Sequence, residues 1–440
     1  MTTLEKTKKY EKIISPKVAG SVESGISPRG VEDIDDKATT LAGFGASYVN
    51  LVKTIIGAGI LVLPFALMKT GLLLGLIMIF MAGTLCILGL HLLNVAAMNL
   101  GRKASFSGLC SITYPKAAFA FEMAIAVKCI GAGISYISIV GTTSSKLAQQ
   151  LLIPSLTSET FVSNLLASKA FWTLLFAALI TPICLMRKMD SLKYTSFGGL
   201  AAVLYLVFLT VWNFFRNNDS SITKIPLFAD FSFAMCSAYS VFVFAFTCHQ
   251  NILPIQNESE DNTPSGMMSI IGSSVGSSTI LYLIVSIFGA ATYGNSVEKV
   301  ILNSFPLSEI PFIIARFMYV FLLVLSFPLQ VFPCRICIQK MTSSAAPNFT
   351  QNFSRWIYLI STFGIIALCA GIGALEYDVN KALGWVGATA GTFICYFLPA
   401  VIYNKLYLGT AMDWRRISAL VLFVAGCFTL VLSVIGLIKS

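Results

Sequence analysis

Residues 50–66, NLVKTIIGAGILVLPFA, set Lys53, Gly57, Gly59 and Pro64 into a run that otherwise suits lipid. Each of these residue types loosens a helix in its own way. Glycine costs a helix roughly 1 kcal/mol and leaves the backbone accessible. Pro64 has no N–H to give residue 60, so one carbonyl is freed. Freed backbone groups at membrane depth persist only where they face protein, water or a ligand. Two readings follow. The groups bind a small molecule carrying a carboxylate and an ammonium, or the glycines serve close helix packing around a kink.

The other reactive side chains exclude most chemistry. Of 11 cysteines, Cys86, Cys129, Cys369 and Cys395 fall within apolar runs, where the thiol acts as a small apolar group. Cys334 and Cys337 have CxxC spacing but no second pair or histidine near them in sequence, so no metal site is expected. The 2 histidines, His91 and His249, belong to no Gly-x-Ser-x-Gly or His-Glu-x-x-His motif, and no Walker loop is present. The chain is therefore expected to be no enzyme, with no catalytic residue, metal or cofactor. A second polar cluster, Ser237, Ser240, Thr247, Cys248 and His249, interrupts the apolar run from Phe231. His249 has the intrinsic pKa of a pH-responsive group, or is a hydrogen-bonded structural residue. Glu122 and Lys128 form a gating pair, or Glu122 marks a helix start. His91 reads as packing, and Arg316 as half of a pair whose acidic member the sequence does not identify.

What must position these residues is a membrane bundle. With 56% hydrophobic and 11% charged residues, the chain cannot coat a soluble globule. Apolar runs near 47–67, 72–98, 118–145, 170–186, 195–213, 227–250, 267–292, 311–333, 354–374, 380–402 and 417–438 are long enough to cross a bilayer. Spans of that length are helices rather than barrel strands, so the expected fold is all-α, integral to the membrane, with 11 transmembrane helices. Residues 1–46 read as a disordered cytosolic tail rather than a signal peptide. On that topology 12 Lys/Arg flank the cytosolic ends besides 7 on the tail, against 8 on the other side. The bias has the positive-inside sense and puts the C-terminus in a lumen or outside. The net charge of +10 then reports topology, and nucleic acid is not a partner. Sequons at Asn257, Asn348 and Asn352 fall on the cytosolic side; Asn218 lies on the other. The partners are the bilayer and a small substrate; the oligomeric state stays open and is compatible with a monomer.

The stretch NLVKTIIGAGILVLPFALMKTG closely resembles the first-helix signature of the amino acid/auxin permease family. AVKCIGAGISYISIVG from Ala126, VFAFTCHQNILPIQNE from Val243 and LSFPLQVFPCR from Leu325 agree with it in order and spacing. Together they resemble the fungal vacuolar amino-acid transporter branch over about residues 40–440. The resemblance implies a LeuT-type inverted five-plus-five repeat plus one extra helix: a first repeat near 47–213, a second near 227–402, and the extra helix near 417–438. It implies secondary transport of amino acids coupled to H⁺ or Na⁺ in a vacuolar or lysosomal membrane. A plasma-membrane carrier and an amino-acid sensor on the same fold are the alternatives. Substrate contacts are implied at Ile56, Gly57, Ala58, Gly59 and Ile60, and at Phe244, Ala245, Phe246 and Thr247. Ser135 and Tyr136 line the opposite wall or act as interhelical glue, and Ser326 corresponds to the hydroxyl that holds the coupling ion in sodium-dependent relatives. Those relatives carry asparagine where Lys53 stands. A fixed ammonium there favours H⁺ over Na⁺, unless Lys53 merely snorkels to the interface. The third helix departs from the family: Thr142, not an acidic residue, follows Gly141, so no coupling role transfers to that position.

Overall fold

The computed structural model describes residues 41–152, 161–186, 193–230, 232–345, 353–375, 378–409 and 412–439. The tail through residue 40 and the sequons at Asn348 and Asn352 lie outside the described residues. The chain opens with α1 (Phe44–Ile55) and α2 (Gly59–Thr70), bent by 52° where they meet. Then come α3 (Leu72–Ala97), α4 (Phe106–Thr113) and α5 (Ala118–Leu151). A second bent pair follows, α6 (Phe161–Ala167) and α7 (Lys169–Cys184), at 73°. Beyond it lie α8 (Lys193–Arg216), α9 (Phe233–Ala245), α10 (Ile252–Glu258) and α11 (Pro264–Tyr293). The chain ends in α12 (Ile310–Ser326), α13 (Pro328–Ala345), α14 (Ser354–Ala374), α15 (Val379–Val386), α16 (Leu398–Leu406) and α17 (Trp414–Lys439).

Among the described residues the fold is all-helical, and the one β-type contact is an isolated bridge between Ala42 and Ser259. Among these described residues nine helices are long and apolar enough to cross a membrane, or up to 11 if each bent pair is one span. Helix starts are set locally. Ser168 accepts from the Phe171 N–H, Thr263 from the Gly266 N–H ahead of Pro264, and Asp378 from the N–H groups of Asn380 and Lys381.

Two boundaries differ from the sequence expectation. The sixth apolar run becomes helical at Phe233 rather than near 227, because the carbonyls of Pro226 and Leu227 accept from the Leu72 and Leu73 N–H groups and hold that segment extended. Its helical course then outlasts His249, ending at Glu258. The tenth span runs on from α15 through π-helical turns at Gly387–Gly391 and Phe393–Phe397 into α16. There the Thr392 hydroxyl donates back five residues to the Gly387 carbonyl, the spacing of a π turn.

Contacts sort the helices into groups. α11 packs on α1, α2 and α3, and α2 packs on α9; separately, α5 packs on α7, α13 and α14, and α14 packs on α7. The loop contacts sort by end. At the Leu41 end, the Ala42 N–H donates to the Glu258 carbonyl, Arg102 to the carbonyls of Asn257, Ser259 and Glu260, and Lys340 to Ser107. At the far end, Lys299 pairs with Asp378 at 2.8 Å, Arg216 with Glu309, and Lys169 donates to the Leu375 carbonyl. The Arg216 guanidinium holds the Glu309 carboxyl below the ordinary glutamate range.

Candidate functional site

The break between α1 and α2 spans Ile56, Gly57 and Ala58, and Ile56 leaves the helical region at φ −85°, ψ 84°. Its groups are only partly satisfied by their own segment: Ile56 N–H reaches the Val52 carbonyl and Gly57 N–H the Ile55 carbonyl. Hydroxyls from other helices meet two more. Tyr319 of α12 donates to the Gly57 carbonyl at 3.3 Å, and the Tyr136 hydroxyl of α5 lies against the Ala58 backbone. A Cβ on Gly57 would run into that same hydroxyl, so Gly57 is the residue that admits Tyr136.

The second break, Phe246–Thr247–Cys248, ends α9. The two breaks touch: a Cβ on Gly59 would lie 2.8 Å from the Ala245 Cα, so only glycine allows this backbone approach. Tyr282 of α11 joins them again. Its hydroxyl stands 2.8 Å from both the Ile55 and the Ala245 carbonyls, donating to one at a time, and its ring meets Phe246 edge-on at 5.1 Å. Thr247 turns its hydroxyl to the Val243 carbonyl and accepts from the Cys395 thiol, while the Cys86 thiol donates to the Phe246 carbonyl. Interrupted backbone in an apolar bundle is thus concentrated where α2 and α9 meet, with the Ile55 and Ala245 carbonyls turned to one hydroxyl. Such a place can bind a zwitterion through the main chain.

Lys53 lies one turn before the first break. It shares a cavity of about 230 Å³ with Gly198, Gly199, Phe321, Leu322, Leu325 and Ser326. Gly199 borders both neighbours, since a Cβ there would lie 2.8 Å from the Leu322 Cδ1 and in ordinary contact, 3.7 Å, with the Lys53 Cε. α1, α8 and α12 therefore meet around one ammonium and one hydroxyl.

The remaining sequence candidates are distributed as follows. Ile60 is buried at the start of α2, and Phe244 and Ala245 in the last turn of α9. Ser135 donates within its own helix, to the Gly131 carbonyl at 2.9 Å. Glu122 and Lys128 are not brought together. Glu122 pairs with Lys340 at 3.7 Å, and Lys128 donates to Gln330 at 3.3 Å. Gln330 in turn lies against the Tyr136 hydroxyl, so Lys128 reaches the first break through two polar neighbours. Six residues along a helix is nearly two turns, too far for a direct pair. His249 is buried beside α3, and His91 stacks on Trp414 at 5.2 Å. Arg316 donates to the Phe305 and Pro306 carbonyls, with no acidic partner among the described residues. Sequence reasoning missed Tyr282, Tyr319 and Gln330. A hydroxyl or amide in an otherwise apolar helix was the available signal, but it is shared by many residues that only pack.

A helical membrane protein whose broken helices meet mid-bundle is the architecture of a carrier. The family described as transmembrane amino acid transporter protein matches residues 42–439, and the chain belongs to it. Vacuolar amino acid transporter 5 of Schizosaccharomyces pombe is 34% identical over 366 residues, 82% of this chain and 84% of that protein. Vacuolar amino acid transporter 5 of Saccharomyces cerevisiae is 27% identical over 403 residues, 81% of this chain and 87% of that one. A crystal structure of MhsT in complex with L-phenylalanine shares the fold, with a TM-score of 0.58 at 10% identity, covering 89% of this chain and 98% of its own. The chain is thus a multi-pass membrane transporter and not an enzyme.

Proposed function

We propose that the chain is a secondary active amino-acid carrier that binds its substrate between the two breaks and moves it by alternating access, in symport with H⁺. The observation that carries the coupling is the cavity shared by Lys53 and Ser326. Two unit charges 4 Å apart interact by about 4 kcal/mol at the effective dielectric of a partly wet protein site. A lysine ammonium in that place repels Na⁺ by an amount of this order, and itself supplies the positive charge Na⁺ would bring. The symported proton is then the one Lys53 takes up and releases.

The substrate's carboxylate and ammonium meet main-chain groups at Ile56–Ile60 and Phe244–Thr247, with Tyr136 closing the wall over Gly57. This recognises any α-amino acid and leaves side-chain preference to the surrounding residues. The contact groups, with breaks in the first and sixth spans, support 11 crossings and an inverted repeat of residues 47–213 on 227–402, with α17 extra. The Lys/Arg excess at the Leu41 end supports a cytosolic N-terminus, and the names of the relatives support a vacuolar-type membrane. Competition of the twenty amino acids in vesicles energised by a pH gradient tests the reading. A subset is expected to compete; uptake that none of them affects would contradict it.

A further inference from the structure

The second break carries a side-chain cluster that amino-acid binding does not use. Cys86 of α3, Cys248 of the break and His249 bring two thiol sulfurs and an imidazole nitrogen within 4.8 Å of one another. All three side chains are buried, His249 and Cys248 completely. Neither ring nitrogen of His249 has a hydrogen-bond partner among the described residues. Buried imidazoles are ordinarily bonded, and a bare one beside two thiols leaves a nitrogen free to take a ligand. Space over one nitrogen is kept by Gly89, where a Cβ would stand 2.7 Å from the His249 Nε2 and 2.5 Å from the Cys395 carbonyl.

We propose that Cys86, Cys248 and His249 form a binding site for a soft d¹⁰ cation such as Zn²⁺, whose occupation pins the α9–α10 break to α3 and arrests transport. Two thiolates and one imidazole are a ligand set Zn²⁺ takes, with the fourth position left to a carbonyl or water. Such donors select soft ions over Mg²⁺ and Ca²⁺. On binding, the two thiol protons leave to bulk water, two S–Zn bonds and one N–Zn bond form, and no oxidation occurs. The complex is neutral, which suits an apolar interior better than a charged one. Bond lengths of about 2.3 Å to sulfur and 2.0–2.1 Å to nitrogen require the donors to close to within about 4 Å of one another. That contraction calls for rotation of the two cysteine side chains, Cys86 giving up its bond to the Phe246 carbonyl. Phe246 and Thr247 adjoin the cluster, so the ion enters when the break opens.

The CxxC pair is not this site: the Cys334 thiol donates to the Ala126 carbonyl at 3.8 Å, and Cys337 lies against Glu122. The test uses the purified full-length protein titrated with Cd²⁺, then Zn²⁺ X-ray absorption on the same wild-type sample. One Cd²⁺ per chain with thiolate-to-metal charge-transfer absorption is expected. The band should vanish in Cys86→Ser and Cys248→Ser and survive in Cys337→Ser and Cys427→Ser. Zinc should show two sulfur scatterers at about 2.3 Å. A band that survives both Cys86→Ser and Cys248→Ser, or zinc ligated by oxygen and nitrogen alone, overturns the site; the second result needs no variant to fold. The titration stands whether or not the chain moves amino acids. For the pinning, Zn²⁺ should slow wild-type flux at least tenfold more than Cys86→Ser flux, and equal inhibition overturns that part.

Discussion

The two helix breaks meet at Gly59 and Ala245, yet they are held open by different means. The first is written into its own sequence: Gly57 and Gly59 weaken the helix, and tyrosine hydroxyls from α5, α11 and α12 supply hydrogen bonds that the missing turn forgoes. The second contains no glycine or proline. Ala245, Phe246 and Thr247 would propagate a helix, and the chain leaves α9 where thiols from α3 and from the π-helical span approach it. One break is intrinsic and the other is imposed by tertiary contacts. In the proposed transport cycle, an intrinsic break facing an induced one would leave only one side to be rebuilt.

The largest effect should come from closing the contact between the breaks. Gly59→Val drives a side chain into the Ala245 backbone, and overpacking of this kind costs about 1–3 kcal/mol or more. Flux should fall by more than about tenfold, with a lower thermal midpoint. Gly45→Ala, where nothing lies within 4 Å, should leave both unchanged. Tyr282→Phe comes next, because it strips the hydroxyl shared by the Ile55 and Ala245 carbonyls. An unsatisfied buried acceptor costs about 1–3 kcal/mol, so flux is expected to drop about tenfold with the fold retained on size exclusion. Thr247→Val should do less, about 0.5–1.5 kcal/mol, since its hydroxyl only reinforces α9 and meets Cys395. Equal losses for Tyr282→Phe and Thr247→Val would erase the distinction between the breaks.

The smallest effect lies far from both. Arg216→Ala removes an exposed ion pair, worth about 0–1 kcal/mol. Glu309 is held low by that guanidinium. The pair's stabilisation is therefore present above the ordinary glutamate pKa and is lost as pH falls through the lowered folded value. Thermal midpoints of wild type and Arg216→Ala should converge on acidification; a gap that widens would contradict this.

Much of the architecture was legible because lipid imposes it. Apolar runs of about twenty residues and a Gly-Ala-Gly before Pro64 state helix and break without help from the rest of the chain. What could not be read depends on which residues meet across the bundle. Tyr282 looks like any aromatic in an apolar helix until its hydroxyl is seen between two carbonyls. Glu122 and Lys128 look paired along the sequence, but their helix turns them to Lys340 and Gln330. The bend at Ser168 and the start of α9 at Phe233 were hidden because a serine cap and two loop carbonyls set them, not a change in hydropathy.

In the proposed carrier, Lys53 stands where a sodium-coupled relative would hold its ion. Radiolabelled amino-acid flux in reconstituted vesicles, driven by an imposed pH gradient or an imposed Na⁺ gradient, tests it most directly in wild type and Lys53→Asn. Wild-type flux should follow the pH gradient with no need of Na⁺, and Lys53→Asn should lose at least about tenfold of that response. Wild-type flux that requires Na⁺ and ignores the pH gradient would contradict the claim.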